Sequence, residues 1–149
     1  MTHPETVLAF DFGFKRIGIA SGDSLTGSAA PRRPVTCGTH GPDWEAIARE
    51  VRALAPARLV VGEPYNVDGS EGTLTGAARA FARELARRFG LPVHLVDERY
   101  SSLEATAALG ARRARGERRR VRRGDIDGAA AAVILERYFA GEAAGEERR

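Results

Sequence analysis

The chain has 149 residues, 43% of them hydrophobic, which is enough for one domain with a packed core and too short for two ordinary domains. Cys37 is the single cysteine, which excludes an intrachain disulfide, and no apolar run approaches the roughly 20 residues that span a bilayer. The net charge is only +3 and the N-terminus lacks a signal-peptide pattern, so we expect one cytoplasmic domain over residues 1–140, with a polar, disordered tail over 141–149.

Apolar periodicity and turn residues predict nine elements in chain order. Three strands open the chain, and helices then alternate with two further strands. A final amphipathic helix carries its apolar residues at three- and four-residue spacing. The predicted strands are 7–11, 16–21, 33–37, 58–62 and 93–96, and the predicted helices are 43–54, about 74–89, 101–110 and 126–138.

This order of elements predicts the fold class. An antiparallel opening followed by helix, strand, helix, strand and helix is best satisfied by a mixed sheet with helices on both faces. The last two strands are expected to lie parallel to the first. We also expect the carboxyl ends of the first and last strands to be neighbours at one edge of the sheet.

Three carboxylates are candidate functional residues because of their places in this predicted fold. Asp11 ends the first strand, Glu98 follows the last strand, and Asp127 lies in the first turn of the last helix. Each has an ordinary structural explanation: Asp11 as a turn acceptor, Glu98 as an ion-pair partner, Asp127 as a favourable charge at a helix N-terminus. Asp125 is the better N-cap, which leaves Asp127 available for chemistry.

A functional site is favoured over these separate explanations if the three acids lie close together in the fold. Three negative charges in one crevice must either be protonated or bind divalent cations. Two ions about 4 Å apart would activate water and stabilise the leaving oxygen of a phosphodiester. The acids therefore predict a metal-dependent hydrolase that needs no histidine or serine nucleophile.

Residues 112–123 form a strongly basic segment. They contain eight arginines and one glutamate, a local charge of +7, which leaves −4 on the rest of the chain. A concentrated cationic segment predicts contact with a polyanion, although a solvated loop is the ordinary alternative. Its place directly before Asp127 favours a cationic flap beside the acidic crevice.

Four segments together resemble the YqgF/RuvX family of the RNase H-like superfold, described as Holliday junction resolvases and as pre-16S rRNA nucleases. They are DFGFKRIGIASGD at 11–23, VVGEPYNVDGSEG at 60–72, VHLVDERYSSLEA at 93–105 and DIDGAAAAVILERY at 125–138. The resemblance covers nearly the whole chain. It implies a three-layer α/β/α fold with a mixed five-stranded sheet.

The resemblance also implies function. Asp11, Glu98 and Asp127 would be the catalytic acids that bind Mg²⁺ or Mn²⁺. The substrate would be structured nucleic acid, with processing of the 5′ end of 16S rRNA as the leading expectation and cleavage of branched DNA as the alternative. No membrane partner is implied, and the chain is expected to be a monomer or a homodimer.

Several basic and polar residues are candidates for holding the substrate. The polar loop after the fourth strand contributes Asn66, Asp68 and Ser70. The basic candidates are Lys15, Arg16, Arg99, Arg112, Arg113, Arg115, Arg118, Arg119, Arg120, Arg122 and Arg123.

Two residues depart from the family pattern. Phe14 stands where a small polar residue is usual, which removes a hydroxyl beside Asp11. Glu63 replaces an apolar residue, and its carboxylate either points to solvent, which we favour, or adjusts the metal site as a fourth acid.

Two other classes of function remain open. The Asp-x-Gly hairpin also occurs in sugar-kinase and actin-like ATPases, but those need a second domain for which 149 residues leave no room. The other class is a non-catalytic nucleic-acid scaffold. The three acids count against it, and Phe14 keeps it open.

Overall fold

The computed structural model describes residues 4–97 and 123–147, with side chains described for 4–97 and 126–141. The strands are β1 (Thr6–Asp11), β2 (Arg16–Asp23), β3 (Ala29–Gly38), β4 (Gly41–Pro42), β5 (Arg58–Glu63) and β6 (Val93–Asp97). The helices are α1 (Trp44–Leu54), α2 (Thr73–Phe89) and α3 (Arg123–Glu147). The predicted helix 101–110 lies outside the described residues.

The strands form one mixed sheet in the order β4-β3-β2-β1-β5-β6. Strands β1 to β4 pair antiparallel, and β5 and β6 continue the sheet parallel to β1. The predicted mixed sheet and its parallel half are confirmed. The sheet has six strands and not five, because Gly41 and Pro42 turn back to pair with Gly38 and Cys37. A two-residue strand shows no alternation, so the sequence pattern does not reveal it.

One detail of the predicted topology is wrong. The first and last strands are not neighbours, because β5 lies between β1 and β6. The chain crosses from β4 to β5 through α1, and then through α2 to β6, so each crossover adds its strand farther from β2. At about 4.8 Å per strand, the ends of β1 and β6 are roughly 10 Å apart.

The two faces of the sheet carry separate cores. Leu8 and Phe10 of β1 pack with Phe81 and other residues of α1 and α2. Val7 and Ala9, which alternate with them, pack on the opposite face against α3. Alternation of side chains along a strand produces this division. The molecule therefore has three layers, with α1 and α2 on one side and α3 on the other.

Helix α3 approaches the sheet most closely at Gly18 of β2. A Cβ at Gly18 would overlap the carbonyl oxygen of Asp127 and lie 3.2 Å from its Cα atom. Because glycine has only a hydrogen atom as its side chain, the main chain of the helix can pack directly on the strand. The close approach fixes where the first turns of α3 meet the sheet.

The ends of α3 differ from expectation. It begins at Arg123, two residues before Asp125, so Asp125 lies within the first turn and is not the N-cap. It continues to Glu147 beyond the expected end of the domain near Gly141. The division into a domain 1–140 and a tail 141–149 stays a prediction. Among the described helices, none combines the length and apolar character that crossing a membrane requires.

We predict that Gly18→Ala destabilises the fold while Gly76→Ala does not. The methyl at residue 18 would collide with main-chain atoms of Asp127, which cannot rotate away, at a cost of about 1–3 kcal/mol. Gly76 lies in α2, where a Cβ would meet no atom within 4 Å apart from its chain neighbours and the helix's own backbone, and alanine there should stabilise by about 0.5–1 kcal/mol. Urea unfolding of both variants measures the difference. Equal stabilities would contradict this view of the helix contact.

Candidate active site

Asp11 is the last residue of β1 and lies on the sheet face that α3 covers. Its position follows from alternation, since Val7 and Ala9 on the same strand pack against α3. The side chain is half-buried. A carboxylate held at a strand end in this way has little freedom, which suits it to a fixed site.

The contact at Gly18 brings Asp127 to the same place. Gly18 is the β2 partner of Asp11 in the antiparallel ladder, so the Cβ positions of the two residues are about 5 Å apart on one face. The backbone of Asp127 sits directly over Gly18. The Cα atom of Asp127 is therefore within about 9 Å of the Asp11 Cβ atom, a span that two aspartates can bridge through a shared ion.

Arg16 supplies a positive charge beside Asp127. Its Nε atom donates a hydrogen bond of 2.7 Å to Oδ2 of Asp127, across 111 positions of sequence. Both side chains are partly exposed, at 34% for Arg16 and 22% for Asp127. Arg16 opens β2 and shares the α3 face with Gly18. The guanidinium therefore occupies one side of the Asp127 carboxylate.

Glu98 and Arg99 lie outside the described residues. Strand β6 ends at Asp97, which is the register partner of Glu63 at the end of β5. The three parallel strands thus end at one edge of the sheet. Among the side chains described, those of 4–97 and 126–141, no three of His, Cys, Asp or Glu are grouped closely enough to hold a metal ion. The predicted three-acid site therefore stays a prediction.

Some of the basic candidates lie among the described residues and others do not. Lys15 is exposed in the turn between β1 and β2, at the edge where Asp11 lies. Arg123 is the first residue of α3, and its side chain is not described. The other candidates of the basic segment lie outside the described residues: Arg112, Arg113, Arg115, Arg118, Arg119, Arg120 and Arg122.

The candidate substrate loop after β5 is closed by its own hydrogen bonds. Asp68 accepts from both the backbone N and the Oγ of Ser70, at 2.9 and 2.6 Å. The Asn66 amide donates to the same Oγ at 3.0 Å. The bonds from Ser70 lower the pKa of Asp68. These three side chains are exposed and stabilise the turn itself, and their contact with substrate stays a prediction.

An ion-pair cluster beneath this loop was not predicted from the sequence. Arg79 of α2 pairs with Glu63 at 2.5 Å and with Glu71 at 2.6 Å, and Tyr65 donates a hydrogen bond of 2.7 Å to Glu63. The Tyr65 bond, with the Arg79 guanidinium, holds the pKa of Glu63 below its ordinary value. The partners are spread over 16 positions, so no local pattern signals them. We call Glu63, Tyr65, Glu71 and Arg79 the loop clamp.

The loop clamp shows where Glu63 lies. We favoured solvent for this carboxylate, and that interpretation is wrong, because the side chain is only 16% exposed and its partners surround it. Leu59 and Val61, which share its face of β5, pack toward α1 and α2. Glu63 is therefore on the opposite face from Asp11 and cannot join it around one ion.

We predict that Arg79→Met lowers stability more at neutral pH than in acid. The lowered pKa of Glu63 means that its stabilising contribution is present above the ordinary glutamate pKa and is lost as pH falls through the lowered value. Without Arg79 that contribution shrinks, so the thermal unfolding midpoints of variant and wild type should converge in acid. Arg83→Met, an exposed arginine on the same helix, is the control. Parallel pH profiles for Arg79→Met and wild type would contradict the prediction.

Comparison with known proteins identifies the family of this chain. A family model described as RuvX, Holliday junction resolvase, matches residues 5–141. A protein of Edwardsiella ictaluri named "Putative pre-16S rRNA nuclease" is 47% identical over 137 residues, covering 92% of this chain and 96% of that protein. A protein of the same name from Salmonella typhi is 44% identical over 135 residues, covering 91% and 96%.

Solved structures confirm the fold class. Thermus thermophilus RuvC in complex with a Holliday junction substrate aligns with a TM-score of 0.57 and 18% identity, covering 94% of this chain and 96% of that one. The yeast mitochondrial Holliday junction resolvase aligns with a TM-score of 0.52 and 10% identity, covering 92% and 78%. The architecture is thus the RNase H-like fold. With 47% identity to a relative and a family match over most of its length, the chain belongs to the RuvX family.

Proposed function

We propose that this protein is a divalent-metal-dependent nuclease that cleaves phosphodiester bonds in structured nucleic acid, with the 5′ end of the 16S rRNA precursor as its substrate. One observation carries the proposal: the packing of α3 on Gly18 brings Asp127 to the face and edge where β1 presents Asp11. The names of the curated relatives support the choice of RNA.

The proposed metal ligands are Asp11, Asp127 and Glu98. Carboxylate oxygens are the donors that Mg²⁺ and Mn²⁺ prefer. The packing of Asp127 on Gly18, the ladder partner of Asp11, supports the choice of these two aspartates. Glu98 follows Asp97 directly, and the proposal requires its side chain to turn to the α3 face. When bound, the ion would lower the pKa of a coordinated water and offset charge on the phosphate.

Arg16 has a defined part in this site. In the described arrangement its guanidinium offsets the charge of the Asp127 carboxylate. A guanidinium also binds phosphate through two parallel hydrogen bonds. We propose that Arg16 turns from Asp127 to the substrate phosphate, so that one side chain stabilises the empty site and orients the substrate in the filled one.

The remaining basic residues are proposed to bind the nucleic-acid backbone. Lys15 lies at the active edge, and the segment 112–123 carries a charge of +7 and leads into α3. Arginines that neutralise several phosphates release counterions, so binding through this segment should weaken steeply with salt. We propose the same backbone role for Arg99.

Cleavage of branched DNA is the second candidate, favoured by the description of the family model. The same acids would perform the same hydrolysis. Resolving a junction requires two symmetric cuts and therefore a dimer, whereas trimming of rRNA needs one site. A non-catalytic scaffold would bind the same nucleic acids but would show no metal-dependent cleavage.

We predict that Asp11→Asn, Glu98→Gln and Asp127→Asn each lower metal-dependent cleavage by more than about 100-fold, beyond the 10- to 100-fold loss typical of outer-shell changes. Each removes a charged ligand while keeping the shape of the side chain. A 5′-extended 16S precursor fragment and a four-way DNA junction, incubated in Mg²⁺ and then Mn²⁺, provide the assay.

The control is Glu45→Gln, an acid that is 83% exposed on α1. This variant should cleave like wild type. Cleavage of the precursor but not the junction supports the rRNA assignment, and the reverse supports the junction. Full activity in all three acid variants, or no cleavage of either substrate by wild type, would contradict the proposed function.

A further inference from the structure

We infer that Phe14 is a stacking platform for an unpaired base next to the cleaved phosphate. This inference deepens the proposed function and rests on it. Phe14 lies in the turn between β1 and β2, three residues from Asp11, with 57% of its surface exposed. It is one of four large apolar side chains exposed in the described part of the chain, with Leu25, Val67 and Leu95.

The ring of Phe14 is supported by the core between the sheet and helices α1 and α2, so a bound strand would pass around the end of β1 from this ring to Asp11 on the α3 face. It meets Phe12 edge to face, with centroids 5.9 Å apart and planes at 81°. Phe12 is 9% exposed and lies 5.1 Å from Phe81, which stacks on Trp44 at 5.4 Å. A row of aromatic rings thus runs from the surface into the interior. Such support limits the motion of the exposed ring, which lowers the entropy lost when a ligand stacks on it.

The backbone of the turn is also constrained. A Cβ at Gly13 would come within 2.6 Å of the Arg16 carbonyl oxygen, so the chain closes tightly around this residue. The Lys15 carbonyl accepts a hydrogen bond of 2.9 Å from the Cys37 amide of β3. Phe14 is therefore presented by a turn that is fixed at both ends.

The surroundings of Phe14 favour a nucleic-acid base over other apolar ligands. Lys15 is exposed next to it, and Arg16 follows on the strand. Proteins bind single-stranded nucleic acid through exposed rings beside positive charges, with the phosphates on the cations and a base stacked on the ring. Three residues of chain span at most about 11 Å, so the stacked base would lie within about three nucleotides of the phosphate at Asp11.

This arrangement defines a class of substrate. A base inside a continuous duplex is already stacked on both faces and cannot reach a protein ring. Phe14 should therefore favour strands with an unpaired base beside the cut, such as an unpaired precursor end or a branch point. Leu25 offers a matched control, since it is 69% exposed but lies in the turn after β2, at the opposite edge of the sheet.

The test is binding in EDTA, where no cleavage occurs. The probes are a 12-nucleotide RNA with one 2-aminopurine and the same strand annealed to its complement. Phe14→Leu should weaken binding of the single strand by roughly fivefold or more, the lower end of base–aromatic stacking, and abolish its fluorescence quenching. Duplex binding should change by less than about twofold. Phe14→Trp should retain both signals, and Leu25→Ser should resemble wild type.

The outcomes separate the inference from the function on which it rests. If wild type binds the single strand and Phe14→Leu binds it equally well with equal quenching, the inference is wrong while the nuclease proposal stands. If Leu25→Ser weakens binding as much as Phe14→Leu, general surface hydrophobicity explains the effect and the stacking role is refuted. If wild type binds neither probe, the stacking inference is wrong, and the nuclease proposal is decided separately by the cleavage of the precursor and the junction.

Discussion

The contact between α3 and Gly18 is the constraint on which the rest of the site depends. Two aspartates separated by more than a hundred positions share one edge because a main-chain segment of a helix can rest on a strand that lacks a side chain there. The ion pair of Arg16 with Asp127 then fixes the direction of the second carboxylate. A single missing methyl group therefore links the sequence of β2 to the placement of the acids.

Two groups of charged residues lie near the carboxyl ends of the strands, on opposite faces of the sheet. Asp11, Arg16 and Asp127 share the α3 face, where the proposed chemistry occurs. The loop clamp lies on the other face, where Arg79 ties Glu63 and Glu71 to α2. Because alternation assigns each residue of a strand to one face, Glu63 can end a strand beside Asp11 and still be kept from it. The loop clamp therefore stabilises the loop after β5, whereas the acidic site lies on the face that α3 covers.

Local patterns in the sequence predicted the elements well, and contacts between distant residues were not predicted. The period of α1 and the apolar runs of β1 and β5 are properties of short segments, so their places were correct. Strand β4 has two residues and no period, and the position of β5 between β1 and β6 depends on how crossovers pack. Asp11 and Asp127 were identified because the predicted fold brings the end of the first strand and the start of the last helix to one side of the sheet. Their partners Gly18 and Arg16 were not identified as such, because no spacing along the chain links them.

The most direct test of this account is where a paramagnetic ion binds. Substoichiometric Mn²⁺ added to the ¹⁵N-labelled protein broadens the amide signals nearest the ion. The account predicts that residues 11–18, 97–99 and 126–129 broaden first and together, since Asp11, Glu98 and Asp127 are the proposed ligands of one ion. Broadening that begins in the loop 64–72 or the acidic end of α3, with the signal of Gly18 unaffected, would contradict the shared site.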